Sequence, residues 1–318
     1  MTVVSSLIII TLNRPKLLEK TLEGLTRQTK PLGEIIVIDN GPHQETKVVA
    51  DSFLDRLPIR YVPEPNRGYG RARNRGLSEA HGEVLYFLDD DCVAEPDWAE
   101  VLWNLVKSGQ AELGGGSRIS GYSGMAARVE YLSTDGPALS PRLAPGNRHH
   151  LSTSNLVLLR KVVDRVGRFD ETLAMCEDRD FTVRAAENGF RLYFEPKARV
   201  THYAGVESMA VYLRRMRHYG FGTSQFFARR PTESLARFFP RHPLIRLLSL
   251  PLLAVAGTGY LVWHNLQNGW DCLLLSPALC MGQLWWQWGG YQAMRAVRAT
   301  EPKKADVVTD GTKAADIR

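Results

Sequence analysis

The chain has 318 residues, of which 44% are hydrophobic and 23% charged, enough for a globular domain with a large core and a second segment. Its 40 basic and 34 acidic residues give a net charge of +6, an excess too small to indicate a nucleic-acid partner. The four cysteines form no C-x-x-C pair, which disfavours both a disulfide framework and a structural zinc site.

The first half of the chain alternates short apolar runs with helical patterns, as βαβ units around a parallel sheet do. Strands are predicted at 7–10, 35–38, 59–62 and 84–88. These runs are apolar on both faces, which is typical of buried parallel strands. A helix is predicted to begin at Pro15, because proline fits the first turn of a helix. We therefore expect an α/β fold with helices flanking the sheet.

The pattern changes between Gly114 and Ser154, where Gly, Ser, Pro and Arg dominate. This composition predicts a long structureless stretch, which inside a compact domain is usually functional or mobile. Regular structure is predicted to resume with a strand at 155–159. Further elements are a helix at 178–188, strands near 191–194 and 200–202, and a helix with a basic face at 207–228.

Acidic residues follow two of the predicted strands. Asp39 ends the second strand, and Asp89, Asp90 and Asp91 end the fourth. The carboxyl ends of neighbouring parallel strands open into one crevice, where such sheets bind ligands. Consecutive carboxylates repel one another, so a divalent cation such as Mn²⁺ or Mg²⁺ is expected there, held together with substrate phosphates. A solvated acidic turn is the alternative, and the buried strand before the cluster favours the cation site.

A series of motifs in this order resembles family 2 glycosyltransferases and covers roughly residues 5–222. The motifs are Thr11–Pro15, Ile36–Asn40, Asn66–Gly76, Phe87–Asp91, Val166–Glu171 and Glu177–Asp180. The resemblance implies a GT-A fold, in which a Rossmann-like nucleotide half with a mixed sheet merges with an acceptor half. It also implies an inverting transfer of a sugar from a nucleotide-diphosphate donor to a hydroxyl, assisted by Mn²⁺ or Mg²⁺.

The resemblance further implies roles for individual residues. The nucleotide sugar would be bound by Thr11, Asn13, Arg14, Asp39, Arg73 and Asp89. The D-x-D aspartates, Asp89 and Asp91, would hold the metal together with His202. Asp178 would be the general base that accepts the proton of the acceptor hydroxyl, with Glu177 beside it as the alternative.

Two other functions stay open at this point. A sugar nucleotidyltransferase can share the fold, but it carries a Gly-rich, Arg-containing loop where this chain has Thr11–Pro15. A non-enzymatic scaffold that retains a nucleotide-sugar pocket is the third possibility, and it fits poorly with intact base and metal residues. The Gln-x-x-Arg-Trp motif of processive family members is absent from the sequence, which favours transfer of one sugar per encounter.

The C-terminal part has a different composition. Nine arginines and only two acidic residues occur between 199 and 246, and two uncharged, mostly apolar runs follow at 247–263 and 272–288. Each run has the minimal length that spans a bilayer, and the basic flanks predict that both ends face the cytoplasm. Prolines and glutamines in the runs leave a re-entrant pair, surface-lying helices or soluble packing helices as alternatives.

These features divide the chain into four predicted segments. They are a catalytic domain at 1–222, a basic linker at 223–246, an apolar helical hairpin at 247–288 and a disordered polar tail at 289–318. The N-terminus has no basic segment before its apolar run and no cleavage pattern. We therefore expect an enzyme on the cytoplasmic face of a membrane, acting on a membrane-proximal glycan or a lipid-linked intermediate.

Overall fold

The protein is described here by a computed structural model that covers residues 5–203, 205–231, 236, 240 and 242–300, with side chains to 296. The strands of this part are β1 (Ser5–Thr11), β2 (Glu34–Asp39), β3 (Ile59–Pro63), β4 (Val84–Asp89), β5 (Cys92–Ala94), β6 (Leu113–Ser120), β7 (Gly146–Asn147), β8 (Asn155–Leu159) and β9 (Leu192–His202). The helices before residue 230 are α1 (Pro15–Leu25), α2 (Gln44–Asp51), α3 (Tyr69–Glu79), α4 (Trp98–Lys107), α5 (Met125–Ser133), α6 (Gly136–Leu139), α7 (Arg160–Val166), α8 (Glu177–Glu187) and α9 (Met209–Arg229). The later helices are α10 (Pro243–Asn265), a 3-10 turn (Leu266–Asn268), α11 (Asp271–Leu274) and α12 (Ser276–Thr300).

All these strands belong to one mixed sheet, in the order β3-β2-β1-β4-β8-β6-β9-β5, with β7 added alongside β9. The pairs among β1, β2, β3 and β4 are parallel, whereas β8 is antiparallel to both of its neighbours. Two apolar layers cover the faces of the sheet, since alternate residues of β1 such as Leu7 and Ile8 belong to different core clusters. The four predicted N-terminal strands and the helix beginning at Pro15 are confirmed.

The prediction of a structureless stretch from Gly114 to Ser154 is wrong. This stretch contains β6, which lies inside the sheet, and also α5, α6 and β7. Its glycines are needed because neighbouring atoms fill the space that a side chain would take. A Cβ at Gly114 would lie 2.4 Å from Leu105, and one at Gly116 would lie 1.8 Å from the carbonyl oxygen of Ala198.

Several predicted boundaries also differ. The strands predicted near 191–194 and 200–202 form the single strand β9, which pairs with β6 across a register shift between Gly116 and Ser117. The predicted domain boundary at 222 falls inside α9, and the predicted linker at 223–246 includes the end of α9 and the start of α10. A disordered tail starting at 289 is wrong, because α12 continues to Thr300. Residues 301–318 lie outside the described residues.

The first predicted apolar run lies in α10, and the second is divided between α11 and α12. Helix α12 packs tightly against α9. A Cβ at Gly220 would lie 1.8 Å from the carbonyl oxygen of Trp286, and one at Gly289 would lie 1.9 Å from that of Arg217. The backbones of α9 and α12 therefore approach closely at two points. In the part of the chain that the structure describes, one helical segment, Pro243–Asn268, is long and apolar enough to cross a membrane.

Buried polar contacts join the end of α10 to the catalytic part. Asn265 is fully buried and donates a hydrogen bond to the carbonyl oxygen of Leu132 at 2.8 Å. Asn268 donates to the carbonyl oxygen of Gly136 at 3.0 Å, and Arg128 forms an ion pair with Asp271 at 2.7 Å. Leaving the buried Asn265 and Asn268 amides unpaired would cost about 1–3 kcal/mol each, whereas the Arg128–Asp271 pair is partly exposed and contributes less. The C-terminal helices and the segment 128–136 therefore stabilise each other.

Candidate active site

The carboxyl ends of three adjacent parallel strands bring the predicted nucleotide-binding and metal-binding residues together. Thr11 pairs with Asp39 in the register of β1 and β2, and Ile10 pairs with Asp89 in that of β1 and β4. The edge at which these strands end is the ligand-binding edge of open α/β sheets. The acidic residues therefore lie at one edge of the sheet, as the sequence predicted.

Asp39 is held rigidly and keeps one oxygen free of protein partners. Its Oδ2 accepts hydrogen bonds from the Tyr61 hydroxyl at 2.8 Å and from the His43 backbone N–H at 2.9 Å. Its Oδ1 is buried and has no hydrogen-bond partner among the described residues. Buried polar atoms are almost always paired, so this oxygen is an acceptor suited to a ligand N–H or O–H group. The neighbouring Thr11 is buried, whereas Asn13 is exposed in the turn after β1 with a left-handed φ of 51°.

Arg14 contacts two of the three consecutive aspartates. Its guanidinium forms an ion pair with Asp90 and donates to Asp91 Oδ2 at 2.9 Å. Asp90 is fully buried, and burial raises its pKa to about 7 although Arg14 opposes the rise. Arg14 was predicted to bind the nucleotide sugar, and here it neutralises the aspartate cluster next to that site. Its side chain remains 40% exposed.

Asp91 and His202 form a buried pair. Asp91 Oδ1 lies 3.6 Å from His202 Nε2, and His202 Nδ1 lies 3.2 Å from Asp135 Oδ2. Burial alone would lower the pKa of His202, but the two carboxylates raise it to about 9. Burial alone would raise the pKa of Asp91, but His202 and Arg14 hold it well below its usual value. Asp135 is itself paired with Arg118. Burial alone would raise the pKa of Asp135, but Arg118 and His202 together lower it to about 2.

This cluster fits a divalent cation. The ligand atoms of Asp91, Cys92 and His202 all lie within 4.8 Å of one another, close enough to share one ion. Burial raises the pKa of the Cys92 thiol, and Mg²⁺ and Mn²⁺ favour carboxylate oxygens over sulfur. Asp91 is therefore the preferred ligand of this group, with the His202 imidazole beside it. Asp89 belongs to the same cluster. Burial raises its pKa and the charge of Asp91 adds to this rise, whereas the charge of Arg73 opposes it.

Arg73 joins the aspartate cluster to the Glu177–Asp178 motif. Its buried guanidinium forms an ion pair with Glu177 through Nη1 and contacts Asp89 Oδ1 at 3.4 Å through Nη2. Burial raises the pKa of Glu177 to about 7, although Arg73 opposes the rise. One guanidinium therefore contacts Glu177, 104 positions away in the sequence, and Asp89, 16 positions away.

Asp178 is more accessible than Glu177. It is partly exposed at the start of α8, whereas Glu177 is buried in its ion pair with Arg73. Among the described residues, Asp178 Oδ2 accepts one long hydrogen bond of 3.4 Å from the Thr153 backbone N–H, and Oδ1 accepts one of 2.7 Å from the Arg179 N–H. Hydrogen bonds to backbone donors orient this carboxylate and leave it able to accept a proton from a bound hydroxyl.

Sequence reasoning missed Asp135, Arg118 and Tyr61. Asp135 and Arg118 lie in the stretch predicted to be structureless, and no motif marks them. Tyr61 was assigned to a weak strand without a role, although its side chain fixes Asp39. The only available signal was the rule that a metal-binding histidine usually donates its second ring N–H to a carboxylate, which does not say which carboxylate.

Comparisons with known proteins identify relatives of this chain. A family model described as glycosyl transferase family 2 matches residues 6–167. Glycosyltransferase AglE of Haloferax volcanii is 32% identical over 195 residues, which cover 59% of this chain and 63% of that protein. The glucosyl-dolichyl phosphate glucuronosyltransferase of the same organism is 26% identical over 199 residues, which cover 58% of this chain and 63% of that protein. The chain thus spans less than two thirds of the length of these curated relatives.

Solved structures show the same fold. S. aureus TarS 1-349 has a TM-score of 0.55 with 18% sequence identity, over 96% of this chain and 94% of that one. The mannosyltransferase PcManGT from Pyrobaculum calidifontis, solved in complex with GDP-Man and Mn²⁺, has a TM-score of 0.57 with 18% identity, over 92% and 86%. The predicted GT-A arrangement is thereby confirmed, and with the family match over residues 6–167 it shows that this chain belongs to glycosyl transferase family 2.

Proposed function

We propose that this protein is an inverting glycosyltransferase that moves a sugar from a nucleotide-diphosphate donor to an acceptor hydroxyl. The observation that carries the proposal is the contact of one buried guanidinium, Arg73, with both Asp89 and Glu177. It connects a carboxylate at the cation cluster to the segment that carries Asp178. A donor bound along the strand ends would then have its sugar next to a carboxylate that can activate an acceptor.

The donor side is supported by Asp39 and its free oxygen. The buried Oδ1, fixed by Tyr61 and His43 through the other oxygen, suits a hydrogen-bond donor on a nucleotide base. S. aureus TarS has been solved in complex with UDP-GlcNAc and PcManGT with GDP-Man, which supports a nucleotide sugar as the donor class.

The leaving diphosphate needs positive charge. Asp91 and His202, together with Asp89, would hold Mn²⁺ or Mg²⁺, which when bound would neutralise the charge that develops on the leaving group. Arg14 lies against Asp90 and Asp91 and contributes a permanent positive charge beside the same site. This charge keeps the aspartate cluster from repelling an incoming diphosphate.

The acceptor side rests on Asp178. In the proposed reaction its carboxylate accepts the acceptor's hydroxyl proton while that oxygen bonds to the anomeric carbon of the sugar. The bond from this carbon to the diphosphate oxygen breaks on the opposite face, and the configuration inverts. Glu177 orients Arg73 through the buried ion pair, so the negative charge of Glu177 is already neutralised by that guanidinium. This division of roles favours Asp178 as the base.

Incubation of the purified protein with nucleotide sugars and Mn²⁺ tests the proposal. Release of a nucleoside diphosphate, accelerated by a suitable acceptor, is the expected result. Cleavage of the nucleotide sugar by pyrophosphate, giving a nucleoside triphosphate and a sugar 1-phosphate, would instead identify a sugar nucleotidyltransferase. The absence of both reactions with every donor that binds would indicate a nucleotide-sugar-binding scaffold.

Asp135→Asn is expected to weaken Mn²⁺ binding about 10–100-fold, as changes to the partners of metal ligands usually do. The carboxylate orients His202 through Nδ1 and would lose its charge but retain its shape. Mn²⁺ affinity in the presence of a nucleoside diphosphate, measured by electron paramagnetic resonance, provides the readout. Asp164→Asn, at an exposed position of α7, is the matched control. Equal Mn²⁺ affinity in the two variants would remove Asp135 from the site.

We also propose that the enzyme works on the cytoplasmic side of a membrane, with α10 lying on the bilayer. Apolar side chains spaced along one side of this helix are exposed, including Leu248 at 82%, Leu252 at 72% and Trp263 at 73%. The other side contacts α12, where the Arg246 guanidinium reaches Gln287 at 3.0 Å. A helix held in this way against a folded domain can embed its exposed side in a membrane interface. An acceptor near the membrane, either a glycan or a lipid-linked intermediate, would suit this position.

The double variant Leu248→Ser/Leu252→Ser is expected to reduce binding to anionic vesicles about 10²-fold, because two leucines lose their burial in hydrocarbon. Flotation of vesicles with bound protein measures the effect. Binding of the unmodified protein should survive high salt, which screens arginine contacts and not hydrocarbon insertion. Val48→Ser/Leu54→Ser changes two residues of similar exposure, both 56%, in the catalytic part and serves as the control. Equal flotation of both variants would contradict the proposed orientation.

A further inference from the structure

A second pocket is lined in part by Ala174 and Met175, which shortly precede Asp178 in the chain. Its volume is about 670 Å³, and it opens between α9, α12 and the segment that precedes α8. Basic side chains of α9 line it, namely Arg214, Arg215, Arg217 and His218, and none of its lining residues is acidic. The donor and cation residues described above are absent from its walls, so this pocket is distinct from the strand-end site.

Most of this positive charge is not neutralised. Arg215 lies 3.6 Å from Glu130 and is paired. Arg214, Arg217 and His218 are exposed, and within the described part of the chain no acidic side chain forms an ion pair with them. Two guanidinium groups and an imidazole N–H directed at one pocket favour an anion, and the arginine fork matches the oxygens of a phosphate group.

The remaining walls are mainly apolar. Ala174 and Met175 line one side, and Val211 and Phe221 lie on the face of α9 that also carries Arg214 and His218. This face follows helical spacing, so the charged and apolar groups occupy one continuous surface. A pocket with cations beside apolar side chains fits a phosphate group attached to a hydrocarbon chain better than a free anion.

The pocket is connected to the catalytic motif through Met175. A Cβ at Gly222 would lie 2.6 Å from Met175 Cβ, so α9 packs directly on this residue. The next residue, Cys176, lies 3.9 Å from the Thr223 hydroxyl and precedes the first turn of α8. Asp178 follows two residues later. The segment that lines the pocket therefore leads directly into the turn of α8 that carries Asp178.

We propose that this pocket binds a phosphate group carried by an amphiphilic acceptor, with Arg214, Arg217 and His218 as its ligands. The inference rests on the proposed glycosyltransferase function and names the class of its acceptor. The phosphate serves as the group by which the acceptor is held, and the hydrocarbon part packs on Met175 and Phe221. The sugar is still transferred to a hydroxyl at Asp178.

Binding of farnesyl phosphate tests the inference. Calorimetric titrations use the full chain with nucleoside diphosphate and Mn²⁺ at saturation, so that the donor site does not take up the probe. Arg214→Ala/Arg217→Ala is expected to weaken farnesyl phosphate binding about tenfold or more, because two charge-assisted contacts are lost. Arg27→Ala/Arg165→Ala removes the same charge from exposed positions outside the pocket and is expected to bind like the unmodified protein. Farnesol and inorganic phosphate are expected to bind more weakly than farnesyl phosphate.

Three results would overturn the inference. Equal farnesyl phosphate affinity in the two double variants would remove Arg214 and Arg217 from the site. Inorganic phosphate binding as tightly as farnesyl phosphate would show a simple anion site without an acceptor. Loss of binding to phosphatidylglycerol vesicles in the pocket variant, without any change for farnesyl phosphate, would show that the arginines contact membrane headgroups. Failure of the unmodified protein to bind any nucleoside diphosphate would instead contradict the proposed function.

Discussion

Asp91→Ala is expected to abolish the dependence of donor binding on Mn²⁺, a loss of at least about 10²-fold in affinity with the metal present. Asp91 is buried with one oxygen toward His202 and the other toward Arg14. Its removal takes away a ligand that no neighbouring carboxylate can replace, because Asp90 is buried against Arg14. Calorimetric titration of a nucleoside diphosphate with and without Mn²⁺ measures the effect.

Asp97→Ala is the matched control for this experiment. Asp97 is exposed, lies six positions further along the chain, and makes no side-chain capping bond at the start of α4. The control should keep the full effect of Mn²⁺ on donor affinity. If Mn²⁺ still increases donor affinity in Asp91→Ala, the cation is bound by other residues.

Asp178→Asn is expected to lower turnover by about 10²–10⁴-fold while donor affinity changes little. The amide keeps the shape of the side chain and its backbone contacts but does not accept the acceptor proton. Initial rates at saturating donor, together with donor affinity from calorimetry, separate the two effects. If Asp178→Asn lowers only donor affinity and leaves turnover at saturating donor unchanged, another residue is the general base.

Glu177→Gln provides the comparison at the adjacent position. Its carboxylate is buried against Arg73, so the variant leaves a guanidinium without its nearest counter-charge. We expect weaker donor binding and lower thermal stability, since breaking one side of a buried ion pair typically costs about 3–5 kcal/mol. If Glu177→Gln instead lost only turnover, and Asp178→Asn lost none, Glu177 would be the base.

The strand ends show how much of the site was predictable. A buried parallel strand is a run of apolar residues. The residue at its carboxyl end lies at the ligand-binding edge of the sheet, independently of how the other elements pack. Asp39 and Asp89 could be assigned to one crevice for this reason alone. The resemblance to a known family added Asp178 and His202, which lie beyond the segment matched by the family model.

The glycines of β6 show why another part was not predictable. Glycine is unfavourable in a strand when only its local preference is considered, so Gly114–Gly116 indicated a loop. In the structure Leu105, Leu151 and the backbone of Ala198 occupy the space beside these residues. This requirement arises from elements distant in the sequence and leaves no local pattern.

The sequence by itself determined the four N-terminal strands, the edge of the sheet that carries the carboxylates, and the apolar C-terminal helices. These follow from hydrophobic periodicity, which depends on neighbours within a few residues. Only the tertiary structure decided that Asp135 faces His202, that Arg73 joins Asp89 to Glu177, and that α12 packs on α9. Each of these contacts joins residues far apart in the chain, and their geometry depends on how the layers pack around the sheet.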